Sequence, residues 1–459
     1  MPLIDIETIV FVMMENRSFD HVVGYLGTTT AAPPLPVEGV RDDPAWLDVH
    51  ANTFGGTRYP PHAIGPEAQQ LADPPHDHAA IAMQIGGPGQ SMDGFVASYM
   101  SRRPPPGDPS TVMGHYTADA VPIYDFFARN FTVCDHWFAA LPTGTQPNRL
   151  MAMSGTSSIL DNAAVFLSDQ ALVYDWLTQH GVSWCAYQYG DFFPFFGLMA
   201  SWLPEMVTSL AWSAAGGHGR FRRYSQFREH WTSAAAMPSV VFVEPEYTDG
   251  PHGTPNDDHP PTGIARGQAF LADLYATLIA NPARWRNTML IVTYDEHGGF
   301  FDHVPPLPIG ATVGDVAVGT TGLRVPAFVV SPHVAPGVPF TAPLDHTSFL
   351  RLLADRFTPG QGYSAEVDSR QAKLGALATV LTQVPTTEYA KPAPSGALVG
   401  SLQARAATSP ASSGTADSAG ADRTTRAFHL VAMKVANDHP EILADPGWSK
   451  LAAYVKNSG

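Results

Sequence analysis

The sequence of 459 residues is poor in charged side chains, and basic ones are the scarcest. Lys, Arg, Asp and Glu make up 15% of the chain, against roughly 25% in a typical globular protein. The 26 basic and 42 acidic residues give a formal net charge of −16. Because nucleic-acid binding depends on clustered Lys and Arg, this balance argues against a nucleic-acid partner. Apolar residues still reach 44%, which excludes a fully disordered chain.

The chain also lacks a disulfide framework, a long hydrophobic run and an export signal. Its two cysteines, Cys134 and Cys185, are too few for a disulfide-stabilised fold, and we expect both to be buried thiols. No apolar run approaches the roughly 18 residues of a membrane-spanning helix, so no transmembrane segment is predicted. The N-terminus has neither a signal-peptide pattern nor a twin arginine. Cytoplasmic residence is therefore the default expectation, with secretion left open and the oligomeric state unspecified.

Short apolar runs separated by polar turns indicate an α/β fold. Near-continuous runs of β-branched residues are typical of strands that are buried on both faces, as in parallel sheets. Helical periodicity lies between them, at residues 268–280 and 347–357. This alternation predicts a mainly parallel central sheet flanked by helices. The predicted strands are 8–14, 131–134, 182–187, 239–243, 288–294 and 325–331.

Stretches with little periodicity interrupt this pattern. Residues 28–120 are rich in Pro and Gly and are predicted to be long loops that decorate the sheet, and residues 190–230 form a second insertion. Residues 401–424 are mostly Ala, Ser, Thr, Gly and Asp, which predicts a disordered linker. We therefore expect one domain over 1–400, a low-complexity linker over 401–424, and a C-terminal helical segment over 425–459 that docks on the domain.

Acidic and amide side chains follow two of the predicted strands. Glu15 and Asn16 come directly after the first strand, and Asp295 and Glu296 directly after the fifth. Ligands bind beyond the carboxyl ends of strands in open α/β sheets, so these side chains should meet at one edge. Carboxylates that lie so near to one another repel unless a cation lies between them. Oxygen ligands of this kind suit Ca²⁺, Mg²⁺, Mn²⁺ or Zn²⁺. The alternative is that these residues cap the helices that follow, which fits one strand end better than two.

A third polar segment runs from Thr145 to Arg149 after the second predicted strand. Pro147 is typical of a first helical turn, which places Thr145 at the N-cap of a helix. A hydroxyl there lies beside an anion site of backbone N–H groups, and a nearby metal would make it a nucleophile. Asn148 and Arg149 add donors suited to a phosphate. The alternative is that Thr145 only caps the helix.

Four motifs in this order resemble the bacterial phosphoesterase family. That family contains phosphatidylcholine-type phospholipases C and an acid phosphatase branch, and it belongs with the alkaline phosphatase-like fold. The resemblance spans roughly residues 5–357. The motifs are Glu-Asn-Arg-Ser-Phe-Asp-His at 15–21, Thr-x-Pro-Asn-Arg at 145–149, Asp-His-Pro-Pro at 258–261, and Asp-Glu-His-Gly-Gly-Phe-Phe-Asp-His-Val at 295–304.

The resemblance implies a metal-dependent phosphoester hydrolase with a role for each matching residue. Thr145 matches the nucleophile and His259 a histidine near the leaving group, so a phosphothreonine intermediate and protonation of the leaving oxygen are expected. His76 matches an upstream active-site histidine, and we expect it to bind substrate together with Asn148 and Arg149. The implied ligands of the divalent metal are Glu15, Asn16, Thr145, Asp295 and Glu296.

The resemblance leaves the substrate open. We expect a phospholipase C acting on phosphatidylcholine-type diesters, with an acid phosphatase using the same site as the alternative. A sulfatase is a more distant alternative, because the Cys or Ser maturation motif of sulfatases is absent from this sequence. A non-catalytic, metal-stabilised binding protein is also an alternative, but it would not need the intact motifs. The aromatic stretch from Trp184 to Phe195 suits a cage for a quaternary ammonium or, equally well, packing in the core.

Overall fold

A seven-stranded sheet organises the chain, and most helices pack against it. The computed structural model describes residues 3–29, 33–68, 70–190, 192–214, 219–250, 253–381, 392–409, 423–445 and 448–458. The strands, in chain order, are β1 (Thr8–Met14), β2 (Asn52–Phe54), β3 (Thr57–Tyr59), β4 (His62–Ile64), β5 (Gly114–Tyr116), β6 (Thr132–Val133), β7 (Trp137–Phe138), β8 (Trp184–Gln188), β9 (Phe221–Arg223), β10 (Val240–Glu244), β11 (Thr288–Tyr294), β12 (Ala311–Val313), β13 (Val316–Val318), β14 (Ala327–Val330) and β15 (Leu344–Asp345).

The α-helices are likewise numbered in chain order. They are α1 (Phe19–Val23), α2 (Pro44–Val49), α3 (His78–Ile85), α4 (Phe95–Met100), α5 (Pro122–Asn130), α6 (Thr145–Ser154), α7 (Val173–Gln179), α8 (Leu203–Ala214), α9 (Phe227–Thr232), α10 (Ala265–Ile279), α11 (Pro282–Trp285), α12 (Thr347–Phe357), α13 (Ala365–Gln371), α14 (Gly396–Thr408), α15 (Arg423–Asp438) and α16 (Ser449–Ser458).

The large sheet is mainly parallel, as the sequence predicts. Its order is β6-β14-β11-β1-β10-β8-β9, with β1 in the centre. The five strands from β11 to β9 run parallel, whereas β14 is antiparallel to both β11 and β6. Every residue of β1 and β11 is buried, which explains their unbroken apolar runs. All six predicted strands form, within about two residues of the expected ends, and the short edge strand β9 was not predicted.

Helices cover both faces of this sheet. Phe11 of β1 stacks on Phe349 of α12, with ring centroids 4.1 Å apart. Phe328 of β14 stacks on Tyr124 of α5 at 5.8 Å. Phe328 pairs across the strands with Val292, and Val292 pairs with the residue after Phe11, so the two contacts lie on opposite faces. The sheet is therefore the middle layer of an α/β sandwich.

Residues 28–120 are more ordered than the long loops predicted from the sequence. They contain α2 to α4 and β2 to β5, elements of three to eight residues that are too short to produce a clear periodicity. Ile81 and Phe95, from α3 and α4, pack with Phe301 and Leu323 in an apolar cluster of their own. This insertion therefore forms a small packed layer beside the loop that follows β11.

The C-terminal residues pack against the domain. Helix α14 covers the first eight residues of the predicted linker, so these residues are helical, and residues 410–422 lie outside the described residues. Phe428 of α15 stacks on Tyr247 at 5.8 Å, and Trp448 contacts Phe193 at 4.9 Å. In the described part of the chain, no helix combines the length and the apolar character needed to cross a membrane. Both cysteines are free and buried, as expected.

Candidate active site

The carboxyl ends of β1 and β11 bring together the four side chains that follow them. The two strands are parallel neighbours in which Met14 pairs with Tyr294, so the residues that come next are adjacent. The backbone N–H groups of Asn16 and Glu296 both donate to Asp295 Oδ1, at 3.0 and 2.7 Å. Glu15, Asn16, Asp295 and Glu296 are each at most 1% exposed. The strand-end prediction for these residues therefore agrees with the structure.

Three carboxylate oxygens in this group lack a hydrogen-bond partner among the described residues. They are Glu15 Oε2, Asp295 Oδ2 and Glu296 Oε1, and all three atoms are buried. Burial raises the pKa of Glu15 well above its usual range. Burial, together with the nearby Asp295 carboxylate, raises the pKa of Glu296 to about 8 against the pull of His76. Buried carboxylate oxygens without hydrogen-bond donors, at the ends of neighbouring strands, fit a divalent cation.

The turn after β1 is held in a conformation that few residues adopt. Asn16 has φ 61°, in the left-handed region, where a short amide side chain is better tolerated than most. A Cβ on Gly298 would lie 2.1 Å from the Asn16 carbonyl oxygen, so the loop after β11 approaches this turn as closely as a glycine allows. Strain of this kind is found where a side chain must be aimed at a site.

Thr145 is the first residue of α6 and does not cap it. The N-cap residue is Gly144, which has no side chain to cap the helix, so the prediction of Thr145 as N-cap is wrong by one position. The Thr145 hydroxyl instead donates to Asn16 Oδ1 at 3.4 Å, and the residue is 1% exposed. Asn162 Oδ1 accepts from the Gln146 N–H in the first turn. The capping alternative is therefore removed, and the hydroxyl faces the carboxylate group.

The side chains of Asn148 and Arg149 form their contacts with other residues of the protein near this edge of the sheet. The Asn148 amide donates to the carbonyls of Leu141, Thr143 and Gly144, and its oxygen accepts from the Leu141 N–H. It therefore shapes the loop that ends at Thr145.

Arg149 is 4% exposed, with Nη2 3.0 Å from Glu15 Oε1 and Nε 3.5 Å from Asp295 Oδ2. Its guanidinium lies over the rings of Phe195 and Tyr247, at 4.7 and 5.1 Å. Although burial alone would lower the pKa of Arg149, Tyr247 and these carboxylates raise it. Arg149 is thus a permanent cation on the protein side of the carboxylates. The contacts of Asn148 and Arg149 seen here are with the protein, and their predicted contacts with a phosphate stay a prediction.

Two histidines line the same site, as predicted. His259 Nδ1 donates to the Pro260 carbonyl at 2.5 Å, which leaves Nε2 buried and without a hydrogen-bond partner among the described residues. Burial would lower the pKa of His259, but the carboxylates of Asp249, Asp73 and Asp257 raise it to about 9. His76 Nδ1 donates to the Pro74 carbonyl at 2.8 Å, and its Nε2 lies 3.4 Å from Asn16 Nδ2.

Two acidic residues of this site escaped the sequence reasoning. Ligand atoms of Asp249, Glu15 and His259 lie within 4.8 Å of one another, and those of Asp73, His76 and His259 do the same. Asp249 lies five residues after the end of β10, beyond the reach of the strand-end rule that found Glu15. Asp73 lies in the proline-rich insertion, where no pattern singled it out.

Two further polar groups hold the loops in place. His346 Nε2 donates to the Asp295 carbonyl at 2.6 Å while its Nδ1 accepts from Trp137, which fixes the loop after β11. Arg324 binds Asp302 Oδ1 at 2.9 Å and Asp20 Oδ1 at 3.1 Å. His303 Nδ1 lies 2.6 Å from Asp20 Oδ2, within the Arg324 network.

A cavity of about 280 Å³ opens beside Gly144 and His76. Arg102, Arg423, Asp73, Asp77, Asp161 and Asn162 also line it. The aromatic stretch that suggested an ammonium cage does not line this cavity. Trp184, Phe192 and Phe195 are buried in the main core, so the packing alternative holds for them.

Comparisons with known proteins agree with these motifs. A model of the phosphoesterase family matches residues 6–358. Non-specific phospholipase C1 of Arabidopsis thaliana is 31% identical over 381 residues, which cover 75% of this chain and 64% of that protein. Phospholipase C A of Mycobacterium tuberculosis (strain H37Rv) is 30% identical over 396 residues, which cover 77% of this chain and 73% of that protein.

A solved structure from Vibrio parahaemolyticus, described as an alkaline phosphatase superfamily protein, matches 69% of this chain and 71% of its own. Its TM-score is 0.32 and its sequence identity 13%. The match to the plant relative spans less than two thirds of that protein's length. On the family match across residues 6–358, the chain belongs to the phosphoesterase family.

Proposed function

We propose that this chain is a metal-dependent phosphoester hydrolase with Thr145 as its nucleophile. The observation that carries the proposal is the buried Thr145 hydroxyl, at the first position of α6 and 3.4 Å from Asn16 Oδ1. It lies at the edge where Glu15, Asp295 and Glu296 each have a buried oxygen without a donor. Family membership supports a phosphoester as the substrate.

Five side chains would hold the divalent cation, which is Ca²⁺, Mg²⁺, Mn²⁺ or Zn²⁺. They are Glu15, Asn16, Thr145, Asp295 and Glu296. When bound, the cation lowers the pKa of a hydroxyl beside it and neutralises charge on phosphoryl oxygens. Arg149 contributes fixed positive charge on the protein side, because its guanidinium pairs with Glu15. The N-terminus of α6 adds a backbone N–H and the positive end of the helix dipole.

The first step is an in-line attack on phosphorus. Thr145 loses its hydroxyl proton to solvent, its Oγ1 forms the new P–O bond, and the bond from phosphorus to the leaving alcohol breaks. His259 gives the proton on Nε2 to the departing oxygen. Because Nδ1 is held by the Pro260 carbonyl, Nε2 is the nitrogen available for this transfer. The raised pKa of His259, about 9, keeps that proton in place at neutral pH.

The second step hydrolyses the phosphothreonine. His259, now neutral, accepts a proton from water, the water oxygen bonds to phosphorus, the bond to Thr145 Oγ1 breaks, and Oγ1 regains a proton from solvent. Two in-line displacements give net retention of configuration at phosphorus. His76 lies between Asn16 and the cavity, in a place to contact the phosphoryl group.

The substrate class we favour is a phospholipid diester cleaved on the glycerol side of phosphorus. The relatives are named phospholipases C, which supports this choice. A phosphomonoester is the second candidate, because Arg102 and Arg423 are among the residues that line the cavity and two positive charges suit a dianion.

Turnover of p-nitrophenylphosphorylcholine and p-nitrophenyl phosphate, with and without chelator, tests the proposal. We expect chelator to abolish turnover and Thr145→Ala to lower it by at least about 10³-fold, as for other catalytic nucleophiles. Thr379→Ala, the same change at an exposed site, serves as the matched control. Mass spectrometry after an acid quench should find phosphate or phosphorylcholine on Thr145. Full activity of Thr145→Ala would refute the mechanism, and no turnover of either ester would favour a binding protein.

A further inference from the structure

Helix α15 lies outside the residues that the family model matches, yet it packs against loops of the active site. In its first turn, Thr424 accepts a hydrogen bond from the Gln146 amide at 3.4 Å, and Gln146 directly follows Thr145. The Thr425 hydroxyl donates to Asp249 Oδ1 at 2.6 Å, on the loop after β10. These two hydrogen bonds anchor the start of α15 beside the site.

The ring of Phe428, one turn further along α15, contacts two other aromatic rings. It stacks on Tyr247, with the ring centroids 5.8 Å apart and the planes inclined by 22°. It meets Phe195 edge to face, also at 5.8 Å. The Arg149 guanidinium lies over both of these rings, 4.7 Å from the centre of Phe195 and 5.1 Å from that of Tyr247. Because all three rings are buried, we call Phe195, Tyr247 and Phe428 the aromatic group.

Hydrogen bonds fix the polar end of Tyr247 in this group. Its hydroxyl donates to Glu244 Oε2 at 2.7 Å and accepts from Arg149 Nη1 at 3.3 Å. The same Glu244 oxygen accepts from the backbone N–H of Phe195 at 2.7 Å. The hydroxyl is thus held by partners on β10 and α6, whereas the ring is supported by its contacts with Phe195 and Phe428.

The plane of the Arg149 guanidinium decides which carboxylates it reaches. Nη2 lies 3.0 Å from Glu15 Oε1 and Nε lies 3.5 Å from Asp295 Oδ2, so the two pairs use different nitrogens of one rigid fork. An arginine side chain has several rotatable bonds, and ordering it costs entropy that packing must offset. Aromatic faces supply that packing, because a guanidinium both stacks on them and is attracted by their electrons. The aromatic group therefore favours the orientation that serves both carboxylates.

We propose that Phe428 is a positioning residue for Arg149, so that helix α15 sets the orientation of the buried guanidinium beside the carboxylates. Phe428 supports the other two rings, and these rings hold the guanidinium against Glu15 and Asp295. The proposal rests on the proposed function in one respect, since those two carboxylates are the proposed metal ligands. Phe428 itself touches neither the cation nor the substrate in this scheme.

The side-chain NMR signal of Arg149 tests this role in the full-length protein. With isotope-labelled arginine, the Nε–H signal of Arg149 is identified by its loss in Arg149→Met. Aromatic faces shift this signal and burial slows its exchange with solvent, so both properties report how the guanidinium is packed. We expect Phe428→Leu, which removes one ring, to move the signal toward that of exposed arginines and to speed its exchange about 10-fold.

Two controls separate the ring of Phe428 from packing in general. Phe127→Leu makes the same change at another buried residue, whose ring packs against Tyr275. Val435→Ala removes a buried side chain from α15 itself. Both variants should lower the free energy of unfolding, and both should leave the Arg149 signal as it is in the parent.

Turnover measures the consequence for the reaction, on whichever nitrophenyl ester the parent hydrolyses faster. Phe428→Leu should lower kcat/KM about 10-fold, because Arg149 then pairs with Glu15 and Asp295 for less of the time. In an Arg149→Met background the same change should cost nothing further, because Phe428 acts through Arg149. Phe428→Met, which fills the space but offers no ring, repeats the comparison if Phe428→Leu does not fold.

The outcomes are distinct. An Arg149 signal that is unchanged in Phe428→Leu, an equal shift in Val435→Ala, or additive losses of turnover would overturn the positioning role. The NMR comparison needs no catalysis, so full activity of Thr145→Ala, or no turnover by the parent, would refute the proposed function and leave the Arg149 result standing. An unchanged Arg149 signal in an active enzyme would refute only the role of Phe428.

Discussion

Nη2 of Arg149 lies 3.0 Å from Oε1 of Glu15, and Oε2 of the same carboxylate has no hydrogen-bond partner among the described residues. Arg149 thus pairs with one oxygen of Glu15 from the protein side, and the other oxygen stays available to bind a cation. The same guanidinium reaches Asp295 at 3.5 Å. A single buried cation therefore offsets part of the charge of two proposed metal ligands, which would otherwise repel each other in the folded protein.

Replacing Arg149 by Met should destabilise the metal-free protein by about 3–5 kcal/mol, because two buried carboxylates lose their counter-charge. Urea unfolding in the presence of chelator measures this loss. A divalent cation should recover part of it, since the cation binds the same carboxylates. Arg351→Met, which breaks two ion pairs of a 38% exposed side chain, is the control and should cost less than about 1 kcal/mol. Equal stability of Arg149→Met and the parent would contradict this account.

The contribution of Glu296 to the stability of the metal-free protein should fall as pH rises from about 5 to 8. The pKa of Glu296 is about 8 in the folded protein and near its ordinary 4.5 in the unfolded chain. The folded state therefore holds a proton that the unfolded state has released, and this contribution to stability, complete below pH 4.5, is lost by pH 8. The raised pKa of Glu15 acts in the same direction.

Thermal melting in chelator at several pH values measures this slope, and Glu296→Gln should flatten it. Added divalent cation should raise the melting temperature more at pH 8 than at pH 5, because the ligands must be deprotonated to bind (about 1.4 kcal/mol per pKa unit). A pH dependence in chelator that Glu296→Gln leaves unchanged, or a melting temperature that does not respond to any cation tried, would argue against a cation site here.

Part of the site could be found from sequence because it depends on strand geometry. Glu15 and Asp295 follow parallel neighbours, so their positions along the chain fix their proximity. The partners of Arg149 could not be found in this way. Its guanidinium rests on Tyr247, almost 100 residues away in sequence, and only the packing of α6 against the turn after β10 decides which way it points.

The elements of the fold likewise divide into those that local sequence predicts and those that it does not. Long buried strands such as β1 and β11 match their predicted bounds at both ends, because each is a mostly apolar run of seven residues followed directly by acidic or amide residues. The elements of residues 28–120 were missed because helices such as α3, with eight residues, owe their stability to the cluster around Phe301. The contact of Thr425 with Asp249 was also beyond reach, since nothing local to either residue specifies it.

Because Asn16 has a left-handed backbone conformation, we expect two substitutions there to have the same effect on activity but different effects on stability. Asn16→Ala and Asn16→Gly both remove the amide that accepts from Thr145, so both should lose at least about 10² in kcat. Glycine adopts φ 61° without strain, so Asn16→Gly should be more stable than Asn16→Ala by about 1 kcal/mol. Urea unfolding in chelator measures this difference.

Gln90, with φ 48°, is the control for the Asn16 pair. Gln90→Gly should be more stable than Gln90→Ala by a similar free energy of unfolding. Neither variant should change turnover. If Asn16→Gly were the less stable of its pair, the amide contacts rather than the backbone would dominate at this position.

Gly298 tests how closely the two loops must approach. A methyl group at Gly298 would meet the Asn16 carbonyl oxygen at 2.1 Å, and backbone atoms cannot move aside as a flexible side chain would. Gly181 has the same positive φ, 66° against 65°, but nothing lies within 4 Å of its added methyl group. Gly181→Ala therefore measures the backbone cost alone, about 1 kcal/mol.

Gly298→Ala should cost at least about 2 kcal/mol more than Gly181→Ala in urea unfolding, because the clash adds to the same backbone cost. Since the displaced atoms belong to Asn16, turnover and cation-induced stabilisation should fall with it, whereas Gly181→Ala should keep both. Equal costs for the two variants would mean that the loop after β11 shifts freely. In that case, the close approach at Asn16 would not be what aligns its amide with Thr145.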